Sequence, residues 1–361
     1  MFALVAVVVI GGAVVLLRRP IQQVVGVNAG RAELVVPEGY VASVFAEGLS
    51  TPWFMAVAPD GTLFVAERGG DRVVALPDRD GDGRADDIVV VGTGYQGAHS
   101  LAFAADGSLL VAGETTLFRV QVDGLRERSR SVVLDGITSG GAHTTRTVAV
   151  LPDGQILLSA GSSCNVCLEP DPMRAAIDIL LSDGGTSRVY MKGLRNAVGV
   201  WVDPATGRAW ATNMGRDLLG DDIPPETLYE VVDGADAGWP RCHAGTIVDP
   251  DFGGSVGCDG VAQPAATFTA HSAPLGLVGW EGHLVIAFHG SWNRSVKAGY
   301  DLMWLPWDGR PTGHAETFAT GFLPAGADGA LGRPAGLVVG GDGALYVSDD
   351  KAGFIYRIAR R

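Results

Sequence analysis

The chain has 361 residues and a net charge of −13, from 27 basic and 40 acidic side chains. Its Lys and Arg form no long run or stripe, so the phosphate neutralisation that drives nucleic-acid binding has no footprint and that partner class is excluded. With 52 glycines, 19 prolines and only 19% charged residues, the composition suits short strands joined by tight turns rather than long amphipathic helices.

Residues 1–17 (MFALVAVVVIGGAVVLL) are apolar throughout and are followed by Arg18, Arg19 and Pro20. That length sits at the lower edge for a membrane span. The segment lacks the basic start of a secretory signal. Residues 1–20 are predicted as an export signal or membrane anchor and 21–36 as a linker. Residues 37–361 are then a single domain held in the periplasm or otherwise outside the cytoplasm. A span that leaves the domain inside is the other reading, because Arg18 and Arg19 favour the cytoplasmic side.

One phrase then recurs, with apolar residues on both sides of a D-G-type turn. Its copies are VAPDGTLFVAER (57–68), FAADGSLLVAGE (103–114), VLPDGQILLSAG (150–161), VDPATGRAWATN (202–213), WEGHLVIAFHG (280–290) and VGGDGALYVSDD (339–350). Asp-Gly between alternating apolar runs is a strong hairpin signal, since glycine accepts the positive φ of the turn. A further short strand trails most copies: RVVALPD (72–78), LFRVQVDG (117–124), TLYEVVDG (227–234), DLMWLPWDG (301–309) and FIYRIAR (354–360). After the third copy the match is weaker, and IDILLSDG (177–184) takes that place. Six such groups predict an all-β, six-bladed β-propeller. The segment GYVASVFAEG (39–48) is predicted as the outer strand that closes the ring onto the last blade. The best helix candidate is 169–181 (EPDPMRAAIDILL), with proline breaking its start.

Cys164 and Cys167 form C-N-V-C, and Cys242 and Cys258 lie sixteen apart. Two local pairs read as two disulfides in an oxidising compartment. One zinc site built from all four is the rival, although the spacings differ and no paired histidines accompany them. The loop DRDGDGRADD (78–87) opens like an EF-hand, with Asp78, Asp80, Asp82 and Gly83, and Asp86 fits the ninth position. Val89 stands where the bidentate glutamate belongs. A structural calcium and a plain polar loop are both open there.

In a propeller, residues just before each innermost strand gather at one channel mouth. Those positions hold Pro52 and Trp53, His99, His143 with Arg146, Arg195 with Asn196, His271, and Arg333. Buried Arg and His are costly without partners. Their convergence points to a polar, anionic ligand, for which Arg offers a planar fork.

The phrases GAHTTRTVAVLPDGQILLSAGSS, GLRNAVGVWVDPATG, NMGRDLLGDDIPPE, GWPRC, FHGSWNRS and GRPAGLVVGGDGALYVSDD resemble the glucose/sorbosone dehydrogenase family, closest to its sorbosone-dehydrogenase-like branch. The resemblance runs over about residues 37–360. It implies a quinoprotein that uses pyrroloquinoline quinone and calcium to oxidise an aldose or a sugar-derived aldehyde or alcohol, passing electrons to an external acceptor such as a cytochrome or the quinone pool. By the same resemblance His143 is the catalytic base, and Arg195, Asn196 and Arg333 contact the cofactor, with Arg146 and His99 beside them. The backbone carbonyls at Met214 and Gly215 hold the calcium. Asp217 and Asp222, with Asp221 and Glu226, are either ligands of a second calcium or a solvated acidic loop. The sequence departs from the glucose-oxidising branch at Ala335, where that branch has a second arginine. Arg294 stands in the region of its cofactor-contacting lysine. A calcium-dependent propeller hydrolase of lactonase type and a non-catalytic propeller that binds a glycan or protein are the alternative functions.

Overall fold

Each copy of the repeated phrase turns on a glycine in the left-handed region: Gly61, Gly107, Gly154, Gly207, Gly282 and Gly343, with φ from 71° to 89°. A Cβ there would strain the backbone. In four copies the aspartate ahead of the glycine accepts the amide two residues on, as Asp60 does from Thr62, Asp106 from Ser108, Asp153 from Gln155 and Asp342 from Ala344. The turns are therefore written locally, before any tertiary contact forms.

The computed structural model describes residues 31–185 and 187–361. The proposed signal or anchor at 1–20 and most of the linker lie outside the described residues. Around the six turns the chain builds six four-stranded antiparallel sheets. Their innermost strands are Pro52–Val57, Ser100–Phe103, Arg146–Val150, Val200–Val202, Pro274–Trp280 and Pro334–Val339. Each lies against the next, and the sixth returns to the first, so the ring closes. Tyr40–Glu47 supplies the outer strand of the sixth blade, antiparallel to Phe354–Arg360 from Tyr40↔Arg360 to Glu47↔Phe354. The predicted six-bladed propeller and its closing strand are both found.

Two local expectations are corrected. Ala176–Leu180 in the helix candidate is the third strand of blade three, paired residue by residue with Ile156–Ala160. Among the described residues there is no α-helix. Each blade also carries a fourth, outer strand beyond the repeat, such as Arg126–Leu134 in blade two. The cysteines form Cys164–Cys167 and Cys242–Cys258, which removes the thiolates that a four-cysteine zinc site requires.

The cores sit between blades. Six apolar clusters correspond to the six blade interfaces, for example Phe64, Ala66 and Val73 against Leu101, Leu109 and Val111 between blades one and two. Burying one Leu or Phe side chain stabilises by about 1.5–3 kcal/mol, so each interface cements its two sheets. A seventh cluster, Trp53, Phe54, Val198, Leu275 and Ala335, comes from the starts of three inner strands and the approach to a fourth, and plugs the ring just below one mouth. The Asp-Gly turns lie at the far face. The near mouth is walled by the irregular segments at 139–145, 161–175, 193–199, 214–225, 269–273 and 289–299.

Candidate active site

Above the plug is a cavity of about 430 Å³ lined by residues of blades three to six, among them His143, Arg195, Met214, Gly215, His289 and Arg333. His143 sits on the segment that leads into the third inner strand. Two arginines organise that segment through its carbonyl oxygens. Arg146 donates to Thr138, His143 and Thr145, and Arg174 to Thr138, Gly140 and His143. Gly161 lies beneath it. A Cβ there would stand 2.6 Å from the His143 Cβ and 2.3 Å from Asn196 Oδ1, so any side chain would push the histidine out.

His143 Nδ1 lies 3.0 Å from the Ser162 carbonyl and 2.9 Å from the Ser162 hydroxyl. A carbonyl can only accept, so Nδ1 carries the proton and the lone pair is on Nε2. Burial, and next the positive charge of Arg195, push the imidazole pKa down to about 4. His143 is thus neutral at neutral pH and free to take a proton.

Arg195 is buried and faces Asp217 at 2.7 Å. Burial works to raise the Asp217 pKa, but His271 and the Arg195 charge outweigh it and hold the carboxylate low. The same carboxylate, 3.6 Å from His271 Nδ1, raises the His271 pKa. Glu226 is almost fully buried and accepts the amides of Gly215 (2.7 Å) and Ala273 (3.3 Å), while burial lifts its pKa to about 7. Three non-glycine residues of the wall, Leu218, His271 and Ala273, have φ of 69°, 61° and 58°. Each conformation costs about 1–2 kcal/mol, which the surrounding bonds must offset.

Arg333 enters from blade six. It donates from Nε to the His289 carbonyl (2.9 Å) and from Nη2 to the Gly290 carbonyl (2.5 Å), and lies 5.5 Å from the Tyr300 ring centroid. Among the described residues no carboxylate pairs with it. His289 is tied through Nε2 to Asp350 at 2.9 Å.

Of the residues singled out from sequence, His143, Arg195, Met214, Gly215, Asp217, Glu226, His271 and Arg333 meet at this cavity. Others do not line it. Asn196 is buried behind the wall, where its carbonyl accepts the Met214 amide and its own amide binds Asn213 Oδ1. Arg146 is fully buried in the His143 segment. His99 is buried against Trp53 and Phe54, with Nδ1 at the Arg146 carbonyl and Nε2 without a partner among the described residues. Arg294 and Asp222 pair with each other at 3.4 Å on the outer rim. Asp78, Asp80 and Asp82 do cluster, their nearest oxygens within 4.8 Å of one another. Their loop follows the third strand of blade one at the far face, beside the Gly61 and Asp342 turns. Asp86 instead accepts the Arg79 amide.

Sequence reasoning missed Asn165 and Arg174. Asn165 stood unread between the two cysteines, and Arg174 lay inside the helix candidate. Ala335, where the glucose-oxidising branch has a second arginine, is fully buried in the plug.

A family model described as TrAA12-like matches residues 34–224 and 255–361. The chain is 25% identical to a pyrroloquinoline quinone-dependent pyranose dehydrogenase of Coprinopsis cinerea, over 93% of this chain and 56% of that protein. It therefore spans little more than half the length of that relative. It is 26% identical to a pyrroloquinoline quinone-dependent sugar dehydrogenase of Hypocrea jecorina, over 89% of this chain and 88% of that one. Among solved structures, the holo form of the pyranose dehydrogenase PQQ domain from Coprinopsis cinerea superposes with a TM-score of 0.81 at 23% identity, covering 91% of this chain and 98% of that one.

Proposed function

The chain belongs to the TrAA12-like family, and from that premise we propose that it is a quinoprotein dehydrogenase. Its substrate class is an aldose or a sugar-derived aldehyde or alcohol, and its cofactors are pyrroloquinoline quinone and calcium. The observation that carries the reading is one cavity that brings together a neutral histidine, two arginines and a turn of free backbone carbonyls.

The residues fit both groups. Pyrroloquinoline quinone is flat and rich in carboxylates. Arg195 from blade four and Arg333 from blade six offer it planar donor edges, and Arg333 lacks a competing protein carboxylate among the described residues. For calcium, among the described residues no N–H or O–H donates to the carbonyl oxygens of Met214 or Gly215, although both line the cavity. Oxygen donors of this kind suit a hard cation. Once bound, the quinone supplies the two-electron, hydride-accepting chemistry and calcium polarises its oxygen.

The protein's own part is proton handling and orientation. His143 Nε2 accepts the proton of the substrate hydroxyl, while Ser162 holds the ring through Nδ1. Arg146 and Arg174 hold the segment that presents His143. Glu226 ties the Gly215 turn to the Ala273 segment and so fixes the carbonyls that face the cation. Trp53 and its neighbours close the channel below, so substrate enters and electrons leave at one mouth. An external carrier collects those electrons. The two disulfides support an oxidising, extracytoplasmic site of action, with residues 1–20 as export signal or anchor, 21–36 as linker and 37–361 as the catalytic domain.

A hydrolase of lactonase type needs carboxylates aimed freely down the channel. Asp217 and Glu226 line the cavity, but Asp217 is engaged by Arg195, and both Glu226 oxygens accept backbone amides. To test the proposal, the protein is loaded with calcium and pyrroloquinoline quinone and offered a panel of aldoses and aldehydes with an artificial electron acceptor. Dye reduction is expected. No reduction together with no cofactor binding would end this reading.

A further inference from the structure

The loop closed by the Cys164–Cys167 disulfide contains two residues, and the first commits both polar atoms of its side chain and its main-chain carbonyl to the cavity wall. Asn165 Oδ1 accepts from Arg195 Nη2 (2.9 Å) and from the Asp217 amide (2.8 Å), and Nδ2 donates to the Asp217 carbonyl (3.0 Å). Its main-chain carbonyl accepts from Arg195 Nε (2.9 Å) and Trp239 Nε1 (3.3 Å). One asparagine thus spans blades three and four and grips both Arg195 and the turn that follows Met214 and Gly215.

We propose that Asn165, clasped by the Cys164–Cys167 disulfide, is a positioning residue that presents Arg195 and the 214–217 turn to the bound cofactor. This rests on the reading that Arg195 and the 214–215 carbonyls hold the quinone and calcium. With Nε and Nη2 of Arg195 fixed by Asn165 and Asp217, its Nη1 donates to no protein oxygen among the described residues. That edge is left for an anion. A guanidinium held along one side loses less freedom when a carboxylate docks on the other. The disulfide acts on the same quantity. Closing so short a loop removes conformations in which Asn165 swings off the wall, so the grip exists before ligand arrives.

The test is equilibrium binding of pyrroloquinoline quinone in excess calcium, followed by absorbance, with apo-protein melting measured in parallel. Asn165→Ala removes three hydrogen bonds, one to a charged donor, and is expected to weaken binding on the order of tenfold. Asn165→Asp keeps the two accepted bonds and should lose less. A Cys164→Ser/Cys167→Ser protein should weaken binding similarly, and adding Asn165→Ala to it should cost little more, because both changes act on one element. Apo melting should stay near wild type for Asn165→Ala and Asn165→Asp. Wild-type affinity in Asn165→Ala would overturn the proposal. So would fully additive losses, or a loss matched by an equal collapse of apo melting. If wild-type protein binds no quinone, the functional reading itself falls, and the proposal with it.

Discussion

The two ends of the propeller are built on different terms. At the far face, six turns repeat one solution, each closed by a glycine in the left-handed region and most by an aspartate bonding its neighbour's amide. At the mouth no two segments are alike, and non-glycine residues take the same left-handed conformation at Leu218, His271 and Ala273. Buried ionisable groups also gather there, with His143 pushed down to about 4 and Glu226 up to about 7. Strain and perturbed titration gather at the end proposed to carry the chemistry, whereas the far face repeats its glycine turns, with Glu281 its one non-glycine residue at positive φ among the described turns. The repeat is the scaffold, and departures from it form the site.

The contrast breaks first at His143. His143→Ala should lower kcat by about 10²–10⁴-fold while leaving quinone affinity near wild type, as read by dye reduction and binding titration. Loss of binding without loss of kcat in the bound fraction would reverse its role. Gly161→Ala should act almost as strongly on turnover, because its Cβ would displace His143. A far-face substitution such as Gly107→Ala should cost about 1–2 kcal/mol of stability and leave kcat/KM unchanged, which chemical denaturation and steady-state rates would check together.

Acid sharpens the same comparison. With His143 neutral above about 4, the acid limb of activity should fall near that pH rather than near 6.5. A limb at 6.5 would mean the ring is more solvated than its surroundings imply. The smallest effect on activity is expected at Asp178, whose two carboxyl oxygens are buried without partners among the described residues and whose pKa burial raises to about 8. The folded chain holds that proton where the unfolded chain, with its ordinary carboxylate, has released it. The Asp178 contribution to stability should therefore be greatest at acid pH and decline as pH rises toward 8. Asp178→Asn should remove that decline, so its melting temperature should gain on wild type between pH 4 and 8. Parallel melting curves would refute this.

Much of the scaffold was legible because its signals are local. Six Asp-Gly phrases and the closing strand at 39–48 needed only alternation and turn chemistry. The outer strand Arg126–Leu134 was not, because a half-solvated edge reading RERSRSVVL carries no apolar alternation. In the candidate site, position before an inner strand put His143, Arg195 and Arg333 on the cavity lining, where the structure also has them. The same rule placed Arg146 and His99 at the mouth, yet Arg146 lies on the face it shares with Val148 and Val150, packed toward blade two. A shift of one residue along a strand reverses the side chain's direction. Asn165 and Arg174 act by holding backbone atoms far away in sequence, and such partnerships leave no pattern in the residues themselves.

The most direct test of the central claim is a crystal structure of the protein with pyrroloquinoline quinone and calcium. The account predicts the quinone above the Trp53 plug, its carboxylates at Arg195 and Arg333, calcium at the Met214 and Gly215 carbonyls, and His143 Nε2 facing the substrate space. Density for the quinone at any other place, or an unliganded mouth at saturating cofactor, would contradict it.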